Sequence, residues 1–264
     1  MQDLCAKRRQ FQHLLERDAV KLAGLGGDVR YIRTQFNADK HFRVTDSGFI
    51  FSLSAEGGYV HPLENRGSPA LGIDDVRLTD RFYLGEPQIR GFDIRGVGPR
   101  VQRIFFDGGI ENGVPVNVPR LDRKQIQDDA IGGRAYYLAR AELQIPLGSG
   151  AKELGLRPSV FIDAGAVFKV TTPILQTIQQ KSAASATTPS LPLFYTVNTS
   201  GTTPVLETTT VATNPDGSAR VPVLQFEERF FGDSWKPRVS VGVGVNWNSP
   251  FGPFRIDIAR ALLK

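Results

Sequence analysis

Residues 238–248, RVSVGVGVNWN, alternate without a break: Val239, Val241, Val243, Val245 and Trp247 fall on one side, Ser240, Gly242, Gly244, Asn246 and Asn248 on the other. Successive side chains of a strand point to opposite faces, so this period of two predicts a strand with one apolar face and one small or polar face. SPFGP at 249–253 supplies Pro and Gly for a tight reversal. FRIDIA then sets Phe254, Ile256 and Ile258 against Arg255 and Asp257. Together the two segments predict a hairpin.

The pattern recurs upstream. In YYLARAELQIPL, Tyr137, Ala139, Ala141, Leu143, Ile145 and Leu147 alternate with Arg140, Glu142 and Gln144. In PSVFIDAGAVF, Val160, Ile162, Ala164, Ala166 and Phe168 alternate with Ser159, Asp163 and Gly165. GFIFSLSAEGGYV at 48–60 sets Phe51, Leu53, Ala55 and Tyr59 against Ser52, Ser54 and Glu56. DVRYIRTQF near 28–36 and RLTDRFYLG near 77–85 bring the expected strands to about seven.

Strand length separates two architectures. Strands of soluble sandwiches typically run to about five or six residues, whereas several here run to about ten, the length a tilted strand needs to cross a bilayer. The expected fold is all-β, a partial antiparallel transmembrane β-barrel. Its apolar face meets lipid, its polar face lines a lumen, and Trp247 and Phe168 lie near strand ends, where an aromatic girdle belongs. On this reading Val243 rejects a charge while Gly244 accepts a small polar side chain. Periodicity by itself also fits a large soluble β-barrel.

Two stretches interrupt the alternation, at about 86–131 and 171–234. The second is rich in Thr, Ser, Pro and Ala with few spaced apolar residues. Both are expected to be long extracellular loops, because long loops of outer-membrane barrels face outward and short turns face the periplasm. The first opens on IRGFDIRGVGPR, residues 89–100, which concentrates three arginines and three glycines beside Phe92.

Composition removes other classes. The 264 residues are 41% hydrophobic and contain no run of 18 apolar residues, so no transmembrane helix is expected. The charge of +5 arises from 32 basic and 27 acidic residues that are interspersed, and no basic face with interleaved aromatics suggests nucleic acid. Cys5 has no partner for an internal disulfide, and His13, His41 and His61 are too separated for a metal site or a triad. GVGVN at 242–246 leads into no helix, so it is strand alternation and not a phosphate cradle. No catalytic constellation, metal site or cofactor is expected. Residues 1–20 have basic residues but no apolar core of a secretory signal, and they form an atypical segment.

FYLGEPQIRGFDIRGVGPR, followed in order by GGRAYYLARAELQIPL, LGLRPSVFIDAGAVF and VSVGVGVNWNSPFGPFRIDIA, resembles the carboxy-terminal barrel of the BamA family, central subunits of the bacterial outer-membrane β-barrel assembly machinery. The family's Val/Ile-Arg-Gly-Phe signature corresponds to Ile89, Arg90, Gly91 and Phe92, and the resemblance covers roughly residues 21–262. It implies that the signature lies at the tip of a loop folded back into the lumen. There Arg90 would meet acidic groups of the inner wall, for which Glu142 and Asp163 are the matching positions. An arginine fork makes directional, charge-assisted hydrogen bonds to carboxylates.

The resemblance further implies a bacterial outer-membrane location and a non-enzymatic role in folding and inserting β-barrel proteins. The implied partners are barrel clients, assembly-machinery lipoproteins and outer-membrane lipid. A two-partner secretion transporter of the same superfamily and a passive porin-like barrel are the alternatives. Family members carry polypeptide-transport-associated domains ahead of the barrel and end on an aromatic strand; neither is visible in a chain ending ARALLK, so both ends are expected to be truncated.

Overall fold

Alternating residues fold into strands because an extended backbone delivers every second side chain to the same face, and pairing satisfies its N–H and C=O groups. A computed structural model describes residues 19–23, 30–45, 48–147, 155–184, 189–198, 203–249 and 252–263. Its strands are β1 (Ala19–Ala23), β2 (Tyr31–Arg43), β3 (Ile50–Pro62), β4 (Arg100–Glu111), β5 (Val114–Pro119), β6 (Gln127–Ala130), β7 (Ala135–Gln144), β8 (Leu156–Phe168), β9 (Thr177–Gln179), β10 (Phe194–Asn198), β11 (Val205–Thr209), β12 (Leu224–Phe231), β13 (Arg238–Ser249) and β14 (Gly252–Leu263). Apart from Ala19 and Val20, the atypical segment at 1–20 lies outside the described residues.

The chain divides into two units. The first comprises the described residues of Met1–Pro99, Ala130–Thr172 and Gly232–Lys264. Its seven described strands form one antiparallel sheet in the order β1-β2-β3-β7-β8-β13-β14. Among the described residues β1 and β14 each pair on one side only, so the sheet is open. β13 and β14 form the expected hairpin, in register from Ser249↔Gly252 to Ser240↔Ala261.

The two faces differ as a membrane barrel requires. Outward, Val243 is 54%, Ile256 69% and Ile258 71% exposed, whereas inward Asp163 and Ser240 are 0% and Ser159 2% exposed. Aromatics cap both ends of the outer face: Phe42 with Phe51 and Trp247 with Phe254 at one, Tyr137 with Phe168 at the other. The inner face is not uniformly polar. Leu138 and Val167 pack there with Leu84, Ile89 and Val97 into a buried apolar cluster, with Phe92 and Tyr136 against it.

RLTDRFYLG at 77–85 is not a strand, contrary to its pattern. It forms a 3-10 turn at Leu78–Asp80 and then only isolated bridges, Phe82↔Gly133 and Leu84↔Val97. Here the alternation inserts Phe82 and Leu84 into two apolar clusters without forming a ladder. β1 supplies the seventh strand of the sheet in its place.

The second unit, Arg100–Asp129 with Pro173–Phe231, takes in most of the two stretches expected as loops. It is built from strands: a sheet in the order β5-β4-β12-β9, β6 pairing with β4, and a β10-β11 hairpin. Phe105 and Phe226 meet edge to face at 5.9 Å across the β4–β12 pair, and Arg103 donates to Glu228 Oε1 at 2.7 Å. The pairing joins segments some 120 residues apart, which local composition does not announce.

Candidate functional site

The segment from Leu84 to Val97 lies against the inner face of the first unit's sheet. Gly91 at φ 81° and Gly98 at φ 118° adopt a backbone conformation that costs glycine little and other residues more. Gly91 also needs its small size, because a Cβ there would stand 3.1 Å from Ala259 Cβ on β14. The turn buries Ile89 completely in the apolar cluster and aims Arg90 along the inner wall.

Arg90 grips Asp163 as a fork. Its Nε donates to Oδ2 at 2.7 Å and its Nη2 to Oδ1 at 2.6 Å, while its backbone N–H donates to Oδ2 at 3.2 Å. The Asp163 side chain is 0% exposed, so this bidentate pair is desolvated and every contact in it matters more than at a surface. Arg90 Nη1 donates to Glu142 Oε2 at 3.3 Å and lies 3.7 Å from Asp257 Oδ2. Its Cζ sits 3.3 Å from the centre of the Phe161 ring, a cation–π contact. The predicted residues Arg90, Glu142 and Asp163 therefore meet, while Ile89 and Phe92 take part through packing and Gly91 through backbone geometry.

Four further residues join the site without having been assigned to it from sequence. Arg255 donates to Glu142 Oε2 at 2.8 Å and to Asp257 Oδ2 at 2.7 Å. Arg140 donates to the Gln88 carbonyl and stands 3.9 Å from Glu56. Phe161 lies under Arg90. The signal for Arg255, Asp257 and Arg140 was their place on the polar side of the alternation; Phe161 shares that side but is apolar.

A second polar cluster holds the segment preceding the signature. Asp74, with a side chain 1% exposed, accepts from the backbone N–H groups of Val76 at 2.9 Å and Thr171 at 2.7 Å, with Arg134 at 3.9 Å. Arg81 donates to the carbonyls of Val76 and Ile131. Burial pushes the Asp74 carboxyl up, but the two N–H donors and the Arg134 and Arg81 guanidiniums together outweigh it and hold the group below its ordinary 3.8. This cluster ties three segments together and had no signature in the sequence.

Among the described residues no group of His, Cys, Asp and Glu has metal-ligand geometry. What the arrangement can do is mechanical: an internal loop is held to a strand wall by directional, charge-assisted bonds.

The chain is similar to known proteins in sequence and in fold. Residues 17–264 match the Omp85 superfamily domain. The chain is 30% identical over 244 residues to the outer membrane protein assembly factor BamA of Neorickettsia risticii, a match that takes in 92% of this chain and 21% of that protein. It is also similar in structure to BamA from Haemophilus ducreyi lacking POTRA domains 1–3, with TM-score 0.54 and 19% identity, over 94% of this chain and 35% of that one. The chain thus spans about a fifth of the length of the curated relative it matches.

Proposed function

The chain belongs to the Omp85 superfamily and has the fold of a bacterial outer-membrane β-barrel; from that premise we propose that the protein folds and inserts other β-barrel proteins into the outer membrane. The observation that carries this reading is the signature loop docked through Arg90 onto Asp163 and Glu142, in a chain that matches an assembly factor along 92% of its length. A loop held against the inner wall makes the lumen a structural element of the barrel.

The work done is physical. A client strand entering hydrocarbon carries unpaired N–H and C=O groups, each costing several kcal/mol. A barrel that presents a strand edge supplies partners before the strand leaves water. No bond chemistry, nucleotide or cofactor takes part. The partners in this reading are unfolded outer-membrane barrel clients, the accessory lipoproteins of the machinery, and the lipid against the Val243, Ile256 and Ile258 face.

Depletion of the full-length protein in its own bacterium tests this. The folded levels of unrelated outer-membrane barrels should fall, and the purified full-length protein in lipid vesicles should speed insertion of an unfolded barrel. Normal barrel levels on depletion, together with ion conductance by the purified protein, would point to a passive barrel. Loss of one secreted polypeptide alone would point to a two-partner secretion transporter.

A further inference from the structure

Neighbouring strands lie about 4.8 Å apart, so β7 and β14, separated by β8 and β13, stand roughly 14 Å apart measured along the sheet. Yet Arg255 on β14 donates to Glu142 on β7 at 2.8 Å. The reach is possible because the row it crosses between them carries small inward residues on β8 and β13. Ser159 on β8 pairs with Gly244 on β13, which pairs in turn with Asp257 on β14. A Cβ at Gly244 would collide with the Asp257 carboxylate and stand 3.3 Å from Ser159 Oγ. The floor of the lumen is thus lowered along one row, and the Arg255–Glu142 bridge runs over it.

Arg90 enters the same network from the loop. Two guanidiniums, Arg90 and Arg255, share Glu142 Oε2 and Asp257 Oδ2, and Asp163 completes the set. Gly91, next in the loop, packs on Ala259 of β14. The signature loop therefore contacts β14 as well as β7 and β8.

We propose that Arg255 and Asp257 are positioning residues that hold Glu142 for Arg90, so that the docked loop ties β14 to β7 and β8 across the lumen. Gly244 and Ser159 form the lane the tie crosses. The inference rests on the loop being an internal plug but does not rest on the assembly activity.

The experiment uses the full-length protein in lipid vesicles, otherwise free of cysteine, with Val97→Cys as reporter. Val97, at the base of the loop where it bridges Leu84, is 5% exposed in the apolar cluster between loop and wall, so a water-soluble maleimide reaches it only when the loop lifts. Arg255→Ala should raise the labelling rate about tenfold or more, within the range of coupling between contacting residues. Arg255→Lys, which keeps the charge but loses the planar guanidinium fork that spans Glu142 and Asp257, should be intermediate and should fold where the alanine variant does not. Ile256→Ala, outward on the same strand, should leave the rate unchanged. Arg90→Ala is the reference. If it raises labelling while Arg255→Ala and Arg255→Lys both stay within about twofold of the parent, the tie to β14 is overturned and the plug stands. If Arg90→Ala also leaves the rate unchanged, the plug reading falls and the tie falls with it.

Discussion

Asp163 takes three of its hydrogen bonds from Arg90, and its side chain has no access to water. Removing one member of a buried pair strands the other, which typically costs about 3 to 5 kcal/mol. Arg90→Ala should therefore destabilise the barrel by about that much in a urea titration. Arg90→Lys should lie between, since an ammonium keeps the charge and loses the planar fork. In the double variant Arg90→Ala with Asp163→Asn, the two effects should fall short of additivity by about 0.5 to 3 kcal/mol; strict additivity would show that the Arg90–Asp163 contact contributes nothing to stability. Asp74 gives a prediction of a different kind. Its carboxyl is held below its ordinary 3.8, so the folded form binds fewer protons than the unfolded form. The stability it contributes is present above pH 3.8 and is lost as pH falls through the folded value. Acid unfolding followed by intrinsic fluorescence should show this loss in the parent, and Asp74→Asn should flatten the profile in that window.

At the scale of one strand, β13 presents the barrel's asymmetry in two adjacent residues. Val243 is 54% exposed on the outer face, and Val243→Arg should cost about 2 to 4 kcal/mol if its depth is near the bilayer centre. Gly244 faces inward, and the sequence alone suggested that a small polar side chain would fit there. The structure reverses that expectation. Asp257 occupies the space a Cβ would need, and its carboxylate is pinned by Arg255 at 2.7 Å with Arg90 at 3.7 Å. Gly244→Ser should cost about 1 to 3 kcal/mol, as overpacking does, and a refolding titration of both variants in lipid checks the pair. A Gly244→Ser variant as stable as the parent would show that Asp257 swings aside freely.

For the molecule as a whole, the second unit decides orientation. Residues 171–234, which contain β9 to β12, should lie outside the cell if the short β13–β14 turn faces the periplasm. Trypsin added to intact cells should then cut within this stretch, which includes the exposed side chain of Lys181. Cleavage only in spheroplasts would reverse the orientation. The strands of this unit make cleavage slower than in an irregular loop, because a protease needs backbone free of a ladder.

The alternation of Val239 to Trp247, Tyr137 to Leu143 and Val160 to Phe168 determined strand identity, the two faces and a membrane-spanning length. Those are local properties: each strand's inside and outside follow from a period of two. The polar side also contained Glu142, Asp163, Arg255 and Asp257, so the members of the luminal network were legible as candidates, and Ile89 to Phe92 stood out through resemblance. Tertiary structure decided which of them meet. The tie from Arg255 to Glu142 depends on strand order, register and the small residues between, none of which is encoded within any single strand. The same holds for β4 with β12 and for the Asp74 cluster, whose partners lie far apart in the chain. RLTDRFYLG alternates but forms no strand, because a pattern makes pairing possible and only a neighbouring backbone completes it.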